Sequence, residues 1–261
     1  MSKSGAAFKK RLLAGETLFG THTSFVDFTV TELFGNFGYD YVWLDTEHSA
    51  IDYQEINAHI LAAQSKGLAA IVRIPFLEPF LAKRVLEMGP DGIIFPMIDT
   101  PHMARDAMAY SMYPPRGIRG FGAARAWDYG TMGMDAYLST IDDTLCRFIQ
   151  IEHKEAVDNL DEILKVPYVD GYIIGPMDLS GSIGELGNIL GENTLRLVKS
   201  IVDKVKAAGK AVGISVGDTA PERLKPWADL GIQFISAGGD VSFIKDGSVN
   251  LLNTLRQAYK K

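Results

Sequence analysis

Four apolar runs in this 261-residue chain each lead directly into ionisable side chains, whose types and spacing could do chemistry. YVWLD delivers Asp45-Thr46-Glu47-His48, AAIVRIP carries Arg73, RFIQIE ends on Glu152, and YIIGPMD ends on Asp178. Glu152 and Asp178, with no Cys and few His nearby, form a hard oxygen-donor pair. Such a pair suits Mg2+, Mn2+ or Co2+ rather than zinc, which more often takes His and Cys ligands. A divalent ion held there would draw in a 2-oxo acid by its carboxylate and keto oxygens and stabilise an enolate as the adjacent carbon–carbon bond breaks. Arg73, always charged, is suited to the same keto oxygen. His48 is the natural general base. Asp45, three residues earlier, either fixes the His48 tautomer or caps the turn that follows.

These groups must be positioned by the elements that precede them. Short apolar, β-branched runs recur at Leu18–Ser24, Tyr41–Asp45, Ala69–Pro75, Gly92–Ile98, Arg147–Glu152, Gly171–Pro176, Ala211–Val216 and Phe234–Gly238. Amphipathic stretches lie between them at Asp52–Ser65, Pro79–Met88, Pro101–Met112, Glu155–Leu164, Thr194–Ala208 and Pro221–Leu230, and a last helix is expected over Leu251–Tyr259. Near-continuous apolar strands alternating with helices indicate a parallel sheet buried on both faces. Eight such units in about 250 residues predict an α/β fold, a closed (β/α)8 TIM barrel in a single domain, 1–261, rather than an open doubly wound sheet. In such a barrel reactive groups gather at the C-terminal ends of the strands, where Asp45, Arg73, Glu152 and Asp178 fall. The one long irregular stretch, Tyr113–Met134, reads as a barrel lid, a subunit contact or a turn-rich surface excursion.

Composition and motifs remove several classes of function. A net charge of −6 argues against a nucleic-acid or anionic-membrane partner. The single Cys146 rules out an internal disulfide framework and suits a reducing compartment. No apolar run reaches the roughly 18 residues of a membrane span, and the basic N-terminus has no apolar leader core, so a soluble cytoplasmic protein is expected. A Schiff-base mechanism needs a lysine in the barrel, and none of the candidate strands has one. Gly213-Ile214-Ser215-Val216-Gly217 matches a nucleophile elbow, but no His follows His153 to complete that triad. Nucleotide-binding glycine motifs are absent. Gly238-Gly239 reads as a tight turn or an anion cradle.

The stretches GYDYVWLDTEHSAID, VRIPF, FPMI, YPPRGIRG, FIQIEH and IIGPMDLS, in this order across most of the chain, resemble the HpcH/HpaI aldolases, the metal-dependent (class II) pyruvate aldolases. The resemblance implies a barrel of the phosphoenolpyruvate/pyruvate-domain type. It also implies reversible cleavage of a 4-hydroxy-2-oxo acid to pyruvate, or a related oxo acid, plus an aldehyde. On this likeness Glu152 and Asp178 would hold the metal, Arg73 would polarise the keto group, and His48 with Asp45 would form an acid–base dyad. Gln150 and Glu47 would orient water or substrate, and backbone NH groups around Gly175 and Met177 would receive the substrate carboxylate. The family pattern further implies a homo-oligomer, hexamer or trimer, with the C-terminal helix near 241–261 exchanged between subunits. Glu87 would then supply an acid to a neighbouring site. The sequence departs from the pattern at Thr46, at Met177 where Ala is common, and at Ser215 where an apolar residue is expected; Ser215 is still counted with Gly175, Met177 and Gln150 among the substrate-binding positions. These changes leave the substrate open. Two rivals stand beside this reading: a citrate-lyase-β-like enzyme acting on an acyl-CoA, and a non-catalytic barrel that senses an oxo acid.

Overall fold

A computed structural model describes residues 3–122 and 124–260. Eight parallel strands close into a barrel in sequence order: β1 (Leu18–Thr23), β2 (Tyr41–Asp45), β3 (Ala69–Arg73), β4 (Gly92–Phe95), β5 (Cys146–Ile151), β6 (Gly171–Ile174), β7 (Ala211–Val216) and β8 (Phe234–Gly239). The helices are α1 (Lys3–Leu13), α2 (Thr29–Phe37), α3 (Tyr53–Ser65), α4 (Pro79–Glu87), α5 (Pro101–Ser111), α6 (Met134–Thr144), α7 (Lys154–Asp158), α8 (Leu160–Ile163), α9 (Pro176–Gly181), α10 (Glu192–Ala207), α11 (Pro221–Asp229) and α12 (Asp240–Ala258). The predicted (β/α)8 class is the observed one. No helix among the described residues is long and apolar enough to cross a membrane.

Several strands are shorter than the apolar runs suggested. Pairing ends at Arg73, Phe95 and Ile174 rather than at Pro75, Ile98 and Pro176. Pro75, Pro96 and Pro176 follow, and a proline has no N–H to give a neighbouring strand. β1 stops at Thr23, one residue before Ser24, whose amide turns to the Asp240 carboxylate. β5 is shifted by one, so Glu152 sits just beyond the strand rather than in it.

Period-two alternation divides each strand between the outer helical layer and the barrel interior. Leu18, Tyr41, Trp43, Ala69, Ile71, Ile94, Phe148, Ile173, Ala211 and Phe234 form the interior cluster. Large and small side chains alternate in register there. A side chain at Gly20 would strike the Tyr41 ring, and one at Gly213 would strike Phe234. Helix α1, not expected from the sequence, closes the N-terminal end of the barrel. Its Phe8 ring packs edge-on to Tyr41 at 5.4 Å and to Phe148 at 6.5 Å. Its Lys9 ammonium donates to the backbone oxygens of Asp142 (2.7 Å) and Leu145 (2.9 Å) and pairs with Asp170 (2.9 Å).

The stretch 113–134 is not a lid over its own strands' C-terminal ends. It leaves the end of α5, where Ser111 accepts a hydrogen bond from Arg147 at the start of β5 (2.9 Å), and so lies at the N-terminal end of the barrel. Among its described residues, Arg125–Gly130 forms a 3-10 turn. Arg125 ties this segment to Met88 O (2.5 Å) and Gln64 Oε1 (2.6 Å). At the other end of the chain, α12 begins at Asp240, well before the expected Leu251, and most of its apolar side chains stand exposed, among them Val241, Ile244, Leu251, Leu252 and Leu255.

The α1 plug should carry a large share of barrel stability. Phe8→Ala leaves a cavity under the interior cluster and is expected to cost about 3–5 kcal/mol. A urea midpoint lowered at constant slope checks it, and an unchanged midpoint would show that α1 is only appended.

Candidate active site

The interior position at the C-terminal end of successive strands is polar where the layers below are apolar. His22 (β1), Asp45 (β2), Arg73 (β3), Gln150 (β5) and Ser215 (β7) end this way, with Glu152 just past β5, while Gly175 past β6 and Gly238 in β8 leave side-chain space at the same level. At the centre lies the Arg73 guanidinium, buried at 8% exposure against the face of Trp43, with its Cζ 5.2 Å from the ring centroid. It donates to both oxygens of Asp45, at 3.1 Å through Nε and 2.7 Å through Nη2. Nη1 lies 2.9 Å from Glu47 Oε2 and reaches Gln150 Oε1 at 3.4 Å. A guanidinium held by three side chains and an aromatic face has one orientation, the condition for directed hydrogen bonding to a ligand.

Gln150 links this group to Glu152, since its amide nitrogen donates to Glu152 Oε2 at 2.7 Å. The other Glu152 oxygen accepts the Met97 amide at 2.7 Å. Met97 presents that amide from a backbone with φ 53°, in the left-handed region that non-glycine residues seldom occupy, and the strain is held by the β4–α5 loop. Gly175 is required by the same carboxylate: a Cβ there would come within 2.5 Å of Glu152 Oε2. Burial pushes the Glu152 carboxyl up to about 7, the Met97 amide offsets part of this, and the charges of Asp178 and Glu47 add to the rise. The Glu47 carboxyl is likewise raised by burial, with Asp45 and Asp178 contributing and Arg73 opposing. Burial alone would raise Asp45 too, but the hydrogen bonds and charge of Arg73 outweigh it and hold that carboxyl below its usual value.

Asp178, in the first turn of α9, is exposed at the mouth, as is the neighbouring Met177 side chain. Their amides open the helix and have no acceptor inside it. The Gly175 amide reaches Ile151 O only at 3.4 Å. Two expected placements are not met. Asp45 does not pair with the His48 ring: both its oxygens serve Arg73, and Oδ1 also accepts the Glu47 and His48 amides at 3.0 and 3.3 Å. The turn-capping alternative is therefore the observed one. The His48 ring, 64% exposed, has Glu47 as its acidic neighbour, 3.8 Å away. Glu87 is not in this chain's site either. It lies at the C-terminal end of α4, at the far end of the barrel, 3.6 Å from Arg119.

Sequence reasoning missed three contributors: Trp43, Met97 and His22. The period-two pattern of LFGTHT, which puts His22 on the face of Leu18 and Gly20, was the available signal for the last. His22 Nδ1 lies 2.7 Å from Gly238 O and Nε2 lies 2.8 Å from Ser215 Oγ.

A divalent cation fits Glu152 and Asp178. Both offer oxygen, the charge of Asp178 raises the Glu152 carboxyl, an effect a shared cation would offset, and the missing Gly175 side chain leaves room beside Glu152 Oε2. Asp99, His153 and Glu155 form a second cluster, with one ligand atom of each lying within 4.8 Å of the others. That cluster is a poorer candidate. His153 Nδ1 accepts the Glu155 amide at 3.2 Å as the cap of α7, which leaves the proton on Nε2 and no free ring lone pair.

The sequence profile of the HpcH/HpaI aldolase/citrate lyase family matches residues 25–244. A hydroxypyruvate/pyruvate aldolase of Roseovarius nubinhibens is 34% identical over 254 residues, 97% of this chain and 95% of that protein. A 2-keto-3-deoxy-L-rhamnonate aldolase of Escherichia coli K12 is 34% identical over 241 residues, 92% of this chain and 89% of its own length. Among solved structures, an HpcH/HpaI aldolase/citrate lyase family protein from Burkholderia cenocepacia J2315 superposes with a TM-score of 0.89 at 32% identity, covering 96% of this chain and 99% of that one.

The Glu152 environment has a thermodynamic consequence in the metal-free protein. Its carboxyl rises from an ordinary 4.5 to about 7 on folding. The folded state therefore holds this proton more tightly than the unfolded chain does. The resulting stabilisation is complete below about pH 4.5 and is lost as pH rises through about 7. Glu152→Gln should flatten this profile, removing on the order of 1–3 kcal/mol of pH dependence. Denaturant titrations in EDTA at pH 5 and pH 8 measure it, and parallel profiles for variant and wild type would contradict the assignment.

Proposed function

The chain belongs to the HpcH/HpaI aldolase/citrate lyase family, and from that premise we propose that it reversibly cleaves a 4-hydroxy-2-oxo acid to pyruvate, or a related 2-oxo acid, and an aldehyde. It is a carbon–carbon lyase of the aldolase type, a class set by relatives matching over 90% of its length. The family depends in general on a divalent metal. In our reading Glu152 and Asp178 hold it, as Mg2+, Mn2+ or Co2+. When bound, the ion supplies Lewis-acid polarisation of the substrate's carboxylate and keto oxygens.

The observation that carries this reading is the fixed Arg73 guanidinium beside the Glu152 carboxylate, joined to it through Gln150. Arg73 donates to the keto oxygen, where negative charge grows as the bond breaks. Its orientation is set in advance by Asp45 and Glu47, so little reorganisation is needed at that moment. The Met177 and Asp178 amides, at the first turn of α9, receive the substrate carboxylate. His48, accessible at the mouth beside Glu47, takes the proton from the C4 hydroxyl. The C3–C4 bond then breaks, the aldehyde leaves, and the electron pair goes to the oxo-acid half as its enolate, which takes a proton at C3. Glu47, 3.8 Å away, is the carboxylate placed to stabilise the His48 ring once it is protonated, in place of the Asp45 partnership expected from the sequence.

A homo-oligomer with α12 exchanged between subunits belongs to the same proposal. It is supported by the exposed apolar side chains of α12 and by an apolar groove between α2 and the start of α12, lined by Phe25, Leu33, Phe37 and Ile244. In such an assembly Glu87 would reach a neighbour's site, since it is remote from its own.

With added Mg2+, Mn2+ or Co2+ the protein should release pyruvate from a 4-hydroxy-2-oxo acid, and EDTA should abolish the reaction. Arg73→Lys should lower kcat by about 100-fold or more, because an ammonium cannot serve Asp45, Glu47 and a keto oxygen in one plane. His48→Ala should lower kcat by about 100- to 10,000-fold. Near-normal metal-dependent turnover in both variants, with the fold intact by circular dichroism, would contradict the proposed roles.

A further inference from the structure

His22 and Ser215 have no part in the chemistry above, although both lie at the mouth of the barrel. Ile174 pairs with Ile214 across β6 and β7, so the next residues, Gly175 and Ser215, lie side by side. Ser215 therefore flanks the glycine that gives way to Glu152. From the other side, the His22 ring packs against Trp43 at 5.2 Å, the indole that also supports Arg73. Both residues are half-buried. They bridge β7 and β1 across β8, whose Gly238 supplies the third partner.

The hydrogen bonds fix the direction of each donor. Gly238 O can only accept, so at 2.7 Å the proton must be on His22 Nδ1. Burial pulls the His22 pKa down and keeps the ring neutral, which leaves Nε2 as a lone pair. At 2.8 Å that lone pair takes the hydroxyl proton of Ser215. With its one proton committed inward, Ser215 Oγ presents only lone pairs to the cavity. It can therefore accept a hydrogen bond from a ligand but cannot donate one.

We infer that the His22–Ser215 pair is a specificity device that selects a hydroxylated substrate, with Ser215 Oγ accepting from a hydroxyl on the oxo acid or on the aldehyde. Ser215 touches the substrate, and His22 is a positioning residue that acts through it. The inference rests on the aldolase reading of this same mouth. An apolar side chain at 215 would favour a hydrogen or methyl at that point. An unpaired serine could turn its proton outward to a carbonyl as readily as its lone pairs to a hydroxyl.

The test crosses two oxo acids, pyruvate and hydroxypyruvate, with two aldehydes, acetaldehyde and glycolaldehyde, in metal-supplemented condensation. The quantity read is the ratio of kcat/KM for each hydroxylated partner over its unhydroxylated counterpart. Ser215→Ala should lower one of these ratios about 10-fold, the size of a single buried hydrogen bond. Ser215→Thr, which keeps the hydroxyl, should restore it. A fall confined to hydroxypyruvate locates the hydroxyl on the oxo acid, and a fall confined to glycolaldehyde locates it on the aldehyde. Unchanged ratios in both arms would overturn the inference. Long-range 1H–15N spectra of the His22 imidazole give a readout independent of turnover. Protonation at Nδ1 is expected, and protonation at Nε2 would overturn the inference, because Ser215 would then face the cavity as a donor. Absence of turnover by the wild type with all four pairs would instead contradict the aldolase reading, with the tautomer still deciding the role of Ser215.

Discussion

An excess of negative charge at one end of the barrel is the constraint to which the rest of this structure answers. Asp45, Glu47, Glu152 and Asp178 converge there around one buried guanidinium. One cation cannot neutralise four carboxylates, and burial makes the imbalance costly. Arg73 satisfies Asp45 fully and Glu47 in part, while burial, with the like charges of Asp178 and Glu47 adding to it, pushes the Glu152 carboxyl up to about 7. A group perturbed by burial and by like charges in a mouth is the usual signature of a site waiting for a partner. The proposed divalent cation is the partner that would relieve it.

The scaffold meets this constraint with backbone as much as with side chains. Gly175 yields the space that the Glu152 carboxylate occupies, and Met97 accepts a left-handed backbone to offer its amide to the same group. Trp43 gives Arg73 a flat surface that fixes the guanidinium plane. Below this polar layer the interior is filled by matched large and small residues, and α1 seals the opposite end with Phe8 and Lys9. The chemistry is thus borne on a rigid stack open at one end only. The His22–Ser215 pair completes the polar ring between β7 and β1, where no charged residue of the proposed mechanism falls.

The alternation of apolar strands and amphipathic helices carried the barrel class clearly, because a parallel sheet covered on both faces has a period that survives in one dimension. The convergence of Arg73, Glu152 and Asp178 was legible for the same reason: each follows an apolar run that must be a strand. What the sequence hid depended on the third dimension. Asp45 stands three residues from His48, which suggested a pair, yet strand register puts it opposite Arg73 and the stronger charge takes both its oxygens. Helix α2, TVTELFGNF, is rich in β-branched and aromatic residues and forms only because Thr31 and Phe34 are buried by packing. Helix α1 reads as a basic N-terminal segment until its Lys9 is seen to cap carbonyls from across the barrel. His22 lies 193 residues from Ser215, a separation no local pattern spans.

Titration of the metal-free protein with Mn2+ by calorimetry, repeated with Glu152→Gln, Asp178→Asn and Glu155→Gln, tests the central claim most directly. The account predicts about one tight site per chain, weakened about 10- to 100-fold by changes at Glu152 or Asp178 and indifferent to the change at Glu155. Binding that survives the first two substitutions and disappears with the third would move the metal to the Asp99–His153–Glu155 cluster and contradict the account.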